Sequence, residues 1–140
     1  MLSSVPMQTV MPRLLVIDDD GAIRDLCGKI LGRSGYDLVV VETAEEGLER
    51  CAEVAFDLVV TDLTLPGMDG IRFAEVLRAS HPQVRVLIFS GHFTDAKETA
   101  TRQASATPGL FFLAKPFRPK ELLAAVAAAL DAVPPIKTVF

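Results

Sequence analysis

Cysteine is scarce in this 140-residue chain: only Cys27 and Cys51 are present. Both fall on apolar faces of expected helices. They read as core thiols rather than a disulfide or a metal pair, which fits a reducing, cytoplasmic setting. No run of Lys or Arg forms a basic patch, and the net charge is −4 with a pI of about 5.1. That balance argues against nucleic acid as a direct partner. The longest apolar stretch, Leu122 to Leu130, is too short to span a bilayer, so no membrane association is expected. Met1 to Pro12 lacks the basic start and apolar core of a signal peptide and reads as a loose tail. No glycine-rich loop of the P-loop or dinucleotide-binding type occurs, so nucleotide binding is not expected.

Half of the residues are apolar, enough for one packed domain around one core. Leu14 to Ile17, Leu38 to Val41, Leu58 to Val60, Val84 to Phe89 and Leu110 to Leu113 are short apolar runs, the mark of strands buried on both faces. Segments of helical spacing separate them. Ile23, Leu26, Cys27, Ile30 and Leu31 form one apolar stripe, opened by Asp20 as N-cap and closed by Gly32 and Gly35. Thr43 with Glu46 makes a capping box before a helix that turns Ala44, Leu48, Cys51 and Ala52 inward. Pro66 to Gly70 is a turn cluster, and the next helix, with Phe73, Ala74 and Leu77 inward, ends before His81-Pro82. Thr94 to Gln103 is the weakest helical segment. Pro119 opens the last helix, whose inner stripe is Leu122, Leu123, Val126, Leu130 and Val133, and Pro134-Pro135 stops it. The order is five βα units. With right-handed crossovers this gives an α/β fold, a doubly wound parallel five-stranded sheet in the order 2-1-3-4-5. The expected domain covers residues 13–133, with 1–12 a flexible tail and 134–140 a tail or the start of a linker.

Polar groups stand where the strands give out: Asp18-Asp19-Asp20, Asp62, Ser90-Gly91 and Lys115-Pro116. In an open parallel sheet the carboxyl ends of the strands line the ligand crevice, so these groups should converge. Two unit charges about 4 Å apart repel by roughly 4 kcal/mol at an effective dielectric near 20. A cluster of carboxylates therefore calls for a cation, and oxygen ligands with open positions suit Mg²⁺. A carboxylate can also act as nucleophile and form an aspartyl-phosphate, with metal and lysine stabilising the transferring group. Helix capping is the plainer account of strand-end acids. It suits Asp20 but not Asp62, which precedes a turn.

Taken together, the segments resemble the receiver domain of two-component response regulators, the fold shared with the bacterial chemotaxis regulator. Leu15 to Asp20 is similar to the family's first acidic motif, Asp57 to Gly70 to its phosphorylation motif, and Leu113 to Phe117 to its lysine motif. The resemblance implies that Asp62 accepts a phosphoryl group from a phosphohistidine on a sensor histidine kinase or histidine phosphotransfer protein. It implies that Asp19, Asp62 and the backbone carbonyl of Thr64 bind Mg²⁺, with Asp18 holding the metal through water. Lys115 pairs with the phosphoryl group and Asp62, Ser90 hydrogen-bonds the phosphoryl oxygen, and Gly91 leaves room for it. The Lys115-Pro116 peptide is expected to be cis. Ser90 and Phe112 form the switch, Phe112 standing where the family often has Tyr. The fourth helix, fifth strand and fifth helix are the surface that reports it to a downstream protein target or output domain, or to a second copy in a homodimer. Thr64 and His92 flank the site, where such side chains tune phosphate lifetime; for His92 a solvated loop histidine is the plainer reading. His81, before Pro82, is a loop residue. Such a protein is a regulatory phosphoacceptor, not an enzyme on other substrates.

Two departures stand out. Ser90 and Lys115 are further apart than the family pattern, and Pro108-Gly109 replaces a usual Gly-Ala pair, so residues 103–110 are expected to be irregular. Ala124, Ala125, Ala127, Ala128 and Ala129 stud the last helix, either as plain helix formers or as a close-docking surface. Two other readings compete. One is a receiver that docks partners without phosphorylation. The other is a phosphatase of the haloacid dehalogenase type, since Asp18 to Ala22 loosely resembles that family's Asp-x-Asp-Gly-Thr motif and would make Asp18 the nucleophile. Whether the chain acts alone or is one domain of a longer protein is not legible.

Overall fold

The computed structural model describes residues 11–91 and 107–131. Five strands, β1 (Arg13–Ile17), β2 (Asp37–Val41), β3 (Leu58–Asp62), β4 (Arg85–Ser90) and β5 (Leu110–Ala114), form one parallel sheet in the order β2-β1-β3-β4-β5. This is the expected topology, with strand ends within two residues of those read from the sequence. Among the described residues four helices lie between or after the strands: α1 (Gly21–Arg33), α2 (Ala44–Glu53), α3 (Gly70–Ser80) and α4 (Pro119–Asp131). The helix expected over 94–103, together with Val133 and Pro134-Pro135, lies outside the described residues.

The apolar runs of the strands fill two cores, because successive side chains point to opposite faces. Leu15, Ile17, Val59, Val86 and Ile88 meet Ala44, Cys51, Phe73, Ala74 and Leu77 of α2 and α3. Leu14, Val16, Leu58, Val60, Leu87 and Phe89 meet Cys27, Leu31, Leu122, Val126 and Ala129 of α1 and α4. Burial on both faces explains why β1, β3 and β4 read as continuous apolar runs rather than alternating ones. β2 and β5, read from the sequence as doubly buried too, are the edge strands, and β2 has no fully buried residue and leaves Val40 37% exposed. In the helices three side chains depart from expectation. Leu26 is 37% exposed and Ala52 is exposed, each at the rim of its helix stripe, whereas Ala129 is buried. The inner stripe of α4 advances by three or four residues from Leu122 through Val126 to Ala129, while Leu130 sits at its edge.

The caps follow the sequence closely. The Asp20 side chain accepts from the Ala22 N–H and that of Thr43 from the Glu46 N–H. The Glu46 carboxylate reaches back to the Glu42 N–H at 3.3 Å, one residue earlier than a capping box requires. Of residues 103–110, expected to be irregular, 103–106 lie outside the described residues and 107–110 make a regular turn: Leu110 N–H donates to the Thr107 carbonyl at 3.2 Å, with Pro108 and Gly109 between and Gly109 at φ 90°. Proline followed by a residue of positive φ is the signature of a type II turn. At the start of β4, Arg85 Nη1 donates to the carbonyls of Ala129 and Leu130, closing the last turn of α4.

Gly70 stands close against another stretch of backbone. Its N–H donates to the Leu63 carbonyl at 2.6 Å, and a Cβ there would stand 2.5 Å from the Asp62 carbonyl oxygen. Gly28, inside α1, has nothing within 4 Å of such a Cβ. Opposite outcomes are expected in urea unfolding. Gly70→Ala should lose about 1–3 kcal/mol by overpacking, whereas Gly28→Ala should gain about 0.5–1 kcal/mol of helix propensity. A second expectation concerns the thiols. Burial pushes Cys27 up to about 12, with Asp18 adding to it, and Cys51 up to about 11. Both should resist a disulfide reagent at pH 8 in the folded chain and react once urea unfolds it. Because the folded values lie above the unfolded one, the stability due to these protonated thiols is present below pH 9 and is lost as pH rises through 11 and 12. Stability measured from pH 8 to 11 should fall accordingly.

Candidate functional site

The carboxyl edge of the sheet brings together what the sequence suggested. β1 runs out at Ile17, and Asp18 follows as the last residue tied to the sheet, its N–H on the Val41 carbonyl at 3.3 Å. β3 ends at Asp62, in register with Phe89, and Leu63 N–H donates to the Phe89 carbonyl at 2.8 Å. β5 ends at Ala114, in register with Ser90, and Lys115 N–H donates to the Ser90 carbonyl at 2.7 Å. The Lys115-Pro116 peptide is cis, as the resemblance implies. Two backbone bonds to β4 thus hold the chain at Leu63 and Lys115, beside the residues that carry charge.

Lys115 Nζ lies 2.9 Å from Asp62 Oδ1 and 3.6 Å from Asp18 Oδ2, and 5.9 Å from the centre of the Phe89 ring. Carboxylate oxygens of Asp18, Asp19 and Asp62 all fall within 4.8 Å of one another. Their exposures differ and decide their chemistry. Asp18 is fully buried, Asp62 is 13% exposed and Lys115 is 25% exposed at the side chain. Asp19 is exposed. An incoming group can therefore reach Asp62 and Asp19 but not Asp18. This counts against Asp18 as a nucleophile and so against the phosphatase reading.

Asp18 carries an unbalanced charge. Burial pushes its carboxyl above the usual range, and the neighbouring Asp62 and Asp19 push the same way; the Asp20 N–H on Oδ1 at 2.9 Å and the Lys115 charge only partly oppose them. Its Oδ2 is buried without a hydrogen-bond partner, the 3.6 Å to Lys115 being too long for one. For Lys115, burial works against the charged form, but Asp62 and Asp18 outweigh it and the ammonium is held above its ordinary value. One ammonium against three carboxylates leaves a net negative pocket of oxygen donors. That donor set fits a hard divalent cation such as Mg²⁺, and an orphaned buried oxygen fits a metal-bound water as its partner.

The remaining sequence candidates are placed as follows. Ser90 is buried at the end of β4. Phe112, in register with Ile88, is half-buried and packs on the core under α2 and α3. Thr64 is exposed just past β3. His92 lies outside the described residues. Three contributors went unseen in the sequence. Gly70 abuts the Asp62 carbonyl, Phe89 underlies Lys115, and Arg24 donates from Nη1 to the Asp18 carbonyl at 2.8 Å. Helical spacing puts Arg24 one turn beyond the acidic triplet, the one signal that could have found it.

A family model described as the response regulator receiver domain matches residues 14–127. The DNA-binding response regulator MtrA of Mycobacterium tuberculosis is 36% identical over 124 residues, 89% of this chain and 53% of that protein. The response regulator protein FleR of Pseudomonas aeruginosa is 35% identical over 116 residues, 82% of this chain and 24% of that protein. The chain thus spans about half the length of the first of these relatives and a quarter of the second. A CheY-like response regulator receiver domain protein from Methanospirillum hungatei superposes with a TM-score of 0.77 at 29% identity, covering 87% of this chain and 95% of that one. The Vibrio cholerae chemotaxis protein CheY4, at 24% identity, shares the fold with a TM-score of 0.76 over 86% of this chain and 99% of that one.

The imbalance at Asp18 has a thermodynamic consequence. Its folded carboxyl titrates above its unfolded value of 3.8, so the favourable contribution of the protonated form is present below that value and is lost as pH rises through the folded one. At neutral pH without divalent metal, the buried Asp18 carboxyl weighs against the fold. Asp18→Asn keeps the oxygen that accepts from Asp20 and drops the charge. By calorimetry in a chelating buffer it should melt higher than the unaltered chain at pH 7, the gap closing as pH approaches 4.

Proposed function

The chain belongs to the response regulator receiver domain family, and on that footing we propose that Asp62 is its phosphoacceptor, taking a phosphoryl group from a phosphohistidine on a sensor histidine kinase or histidine phosphotransfer protein. The observation that carries this reading is the 2.9 Å pairing of Lys115 Nζ with an accessible Asp62 carboxylate, at the rim of a three-carboxylate pocket. Asp19, Asp62 and the Thr64 carbonyl would hold Mg²⁺, with Asp18 behind a water. Bound there, Mg²⁺ supplies positive charge that offsets both the crowded carboxylates and the phosphoryl oxygens.

The chain's own residues do the rest. An Asp62 carboxylate oxygen attacks phosphorus, the P–N bond to the donor imidazole breaks, and the imidazole nitrogen leaves with that bond's electron pair. Lys115 orients the attacking carboxylate and then neutralises a phosphoryl oxygen. The Ser90 hydroxyl donates to another phosphoryl oxygen, and Gly91 leaves that approach open. Drawing Ser90 inward frees space for Phe112 to turn in, a population shift between two packings. Phe112 has no hydroxyl, so packing alone carries its part of the signal. Thr64 and His92, two residues past Asp62 and Ser90 in the sequence, tune how long the phosphate lasts. The receiver spans residues 13–133 and works in the cytoplasm. It reports to an output domain or a separate target, or pairs with a second copy, through a face made of β5, α4 and the segment 94–103 expected from the sequence to be helical. Its chemistry is confined to its own phosphorylation and dephosphorylation.

Intact mass after incubation with acetyl phosphate and Mg²⁺ tests the proposal. One phosphoryl group should appear on the unaltered chain and be missing both from Asp62→Asn and in the absence of Mg²⁺. A phosphoryl group mapped to Asp18 would refute the assignment. If no adduct accumulates, beryllofluoride should still shift the resonances of Ser90 and Phe112; a chain inert to both would be a docking module.

A further inference from the structure

Of the three carboxylates in the pocket, Asp19 alone is exposed, so packing does not aim it. Its direction is set by the backbone between the end of β1 and the start of α1. That backbone is held at both ends by one residue. The Arg24 N–H donates to the Asp20 carbonyl at 3.0 Å, and its guanidinium Nη1 donates to the Asp18 carbonyl at 2.8 Å. The Asp18 carbonyl belongs to the peptide plane that also carries the Asp19 nitrogen, so fixing one fixes the other. This carbonyl lies just past the last ladder position of β1, where Ile17 pairs with Val41 and Thr61. The guanidinium reaches it across Gly21, where a Cβ would stand 3.4 Å from Arg24 Nη2. Among the described residues Arg24 makes no ion pair with a carboxylate; its polar contact with the pocket is to backbone.

We propose that Arg24 is the positioning residue of the acidic pocket: by tethering the Asp18 carbonyl it aims the Asp19 carboxylate for a divalent cation. This rests on the reading of Asp19 and Asp62 as metal ligands. The proposal fixes the sign of an effect that charge alone would reverse. A guanidinium near a cation site repels the cation, so a purely electrostatic role makes removal of Arg24 tighten metal binding. A tether makes removal loosen it. A role in stability alone would lower the melting temperature and leave affinity unchanged.

The test is calorimetric titration of the full chain with Mg²⁺ alone, with no phosphodonor, beside thermal melts in chelator. Arg24→Met should weaken Mg²⁺ binding about tenfold, the scale of losses seen when outer partners of metal ligands are removed. Arg24→Lys, which keeps a cationic donor on a long stem, should fall between it and the unaltered chain. Should Arg24→Met fail to fold, Arg24→Lys against the unaltered chain carries the comparison, weaker binding again being required. Unchanged or tighter Mg²⁺ binding in the variants would overturn the proposal while leaving the pocket itself intact. Absence of Mg²⁺ binding in the unaltered chain would remove the pocket reading and the proposal with it. The two failures are therefore told apart by the unaltered chain alone.

Discussion

Everything at the carboxyl edge depends on one ammonium set against three carboxylates. Lys115 meets Asp62 at hydrogen-bond distance and Asp18 at a longer one, and this partial neutralisation lets acids from two adjacent strands approach without a metal. The balance is incomplete by design of position rather than by weakness of contact. Asp18 sits at zero exposure with one oxygen unpartnered, and water cannot screen it there. A site in this condition gains from any added positive charge, and its affinity for a cation and its instability without one are the same quantity seen from two sides.

The sheet makes that crowding affordable. Strands buried on both faces are held by two separate apolar cores, so the polar groups need contribute little to folding. Backbone bonds from Leu63 and Lys115 to β4 then transmit the rigidity of the ladder to the charged side chains. The site is stiff where it is built from strand ends and depends on side-chain tethers only where β1 gives way to α1.

Most of this was legible in the sequence because it rests on short-range rules. Continuous apolar runs marked the strands, though not that β2 and β5 lie at the sheet edges; Asp20, Thr43 and Pro119 marked helix starts, and acids and lysine at run ends marked the crevice. What escaped has a common cause: it depends on distances across the fold. Leu26 and Ala52 carry apolar side chains at stripe edges, where spacing cannot separate rim from core, and both are exposed. The need for glycine at position 70 comes from the Asp62 carbonyl pressing on it, which no local pattern encodes. Pro108-Gly109 looked like a disruption of the family pattern, yet the pair makes an ordinary turn into β5. Arg24 acts on a backbone carbonyl six residues earlier, a target that no side-chain pattern marks.

The clamp of Arg85 on the last carbonyls of α4 bears on mechanics. β4 carries Arg85 at one end and Ser90 at the other, about 17 Å apart at the usual rise of a strand. The two ends of the domain are thus joined by a single rod threaded through both cores. Helix ends ordinarily fray in water, but this one is bolted to the sheet. The last turn of α4 therefore takes its heading from the sheet as a whole, like a boom stepped on a keel, rather than from the helix alone.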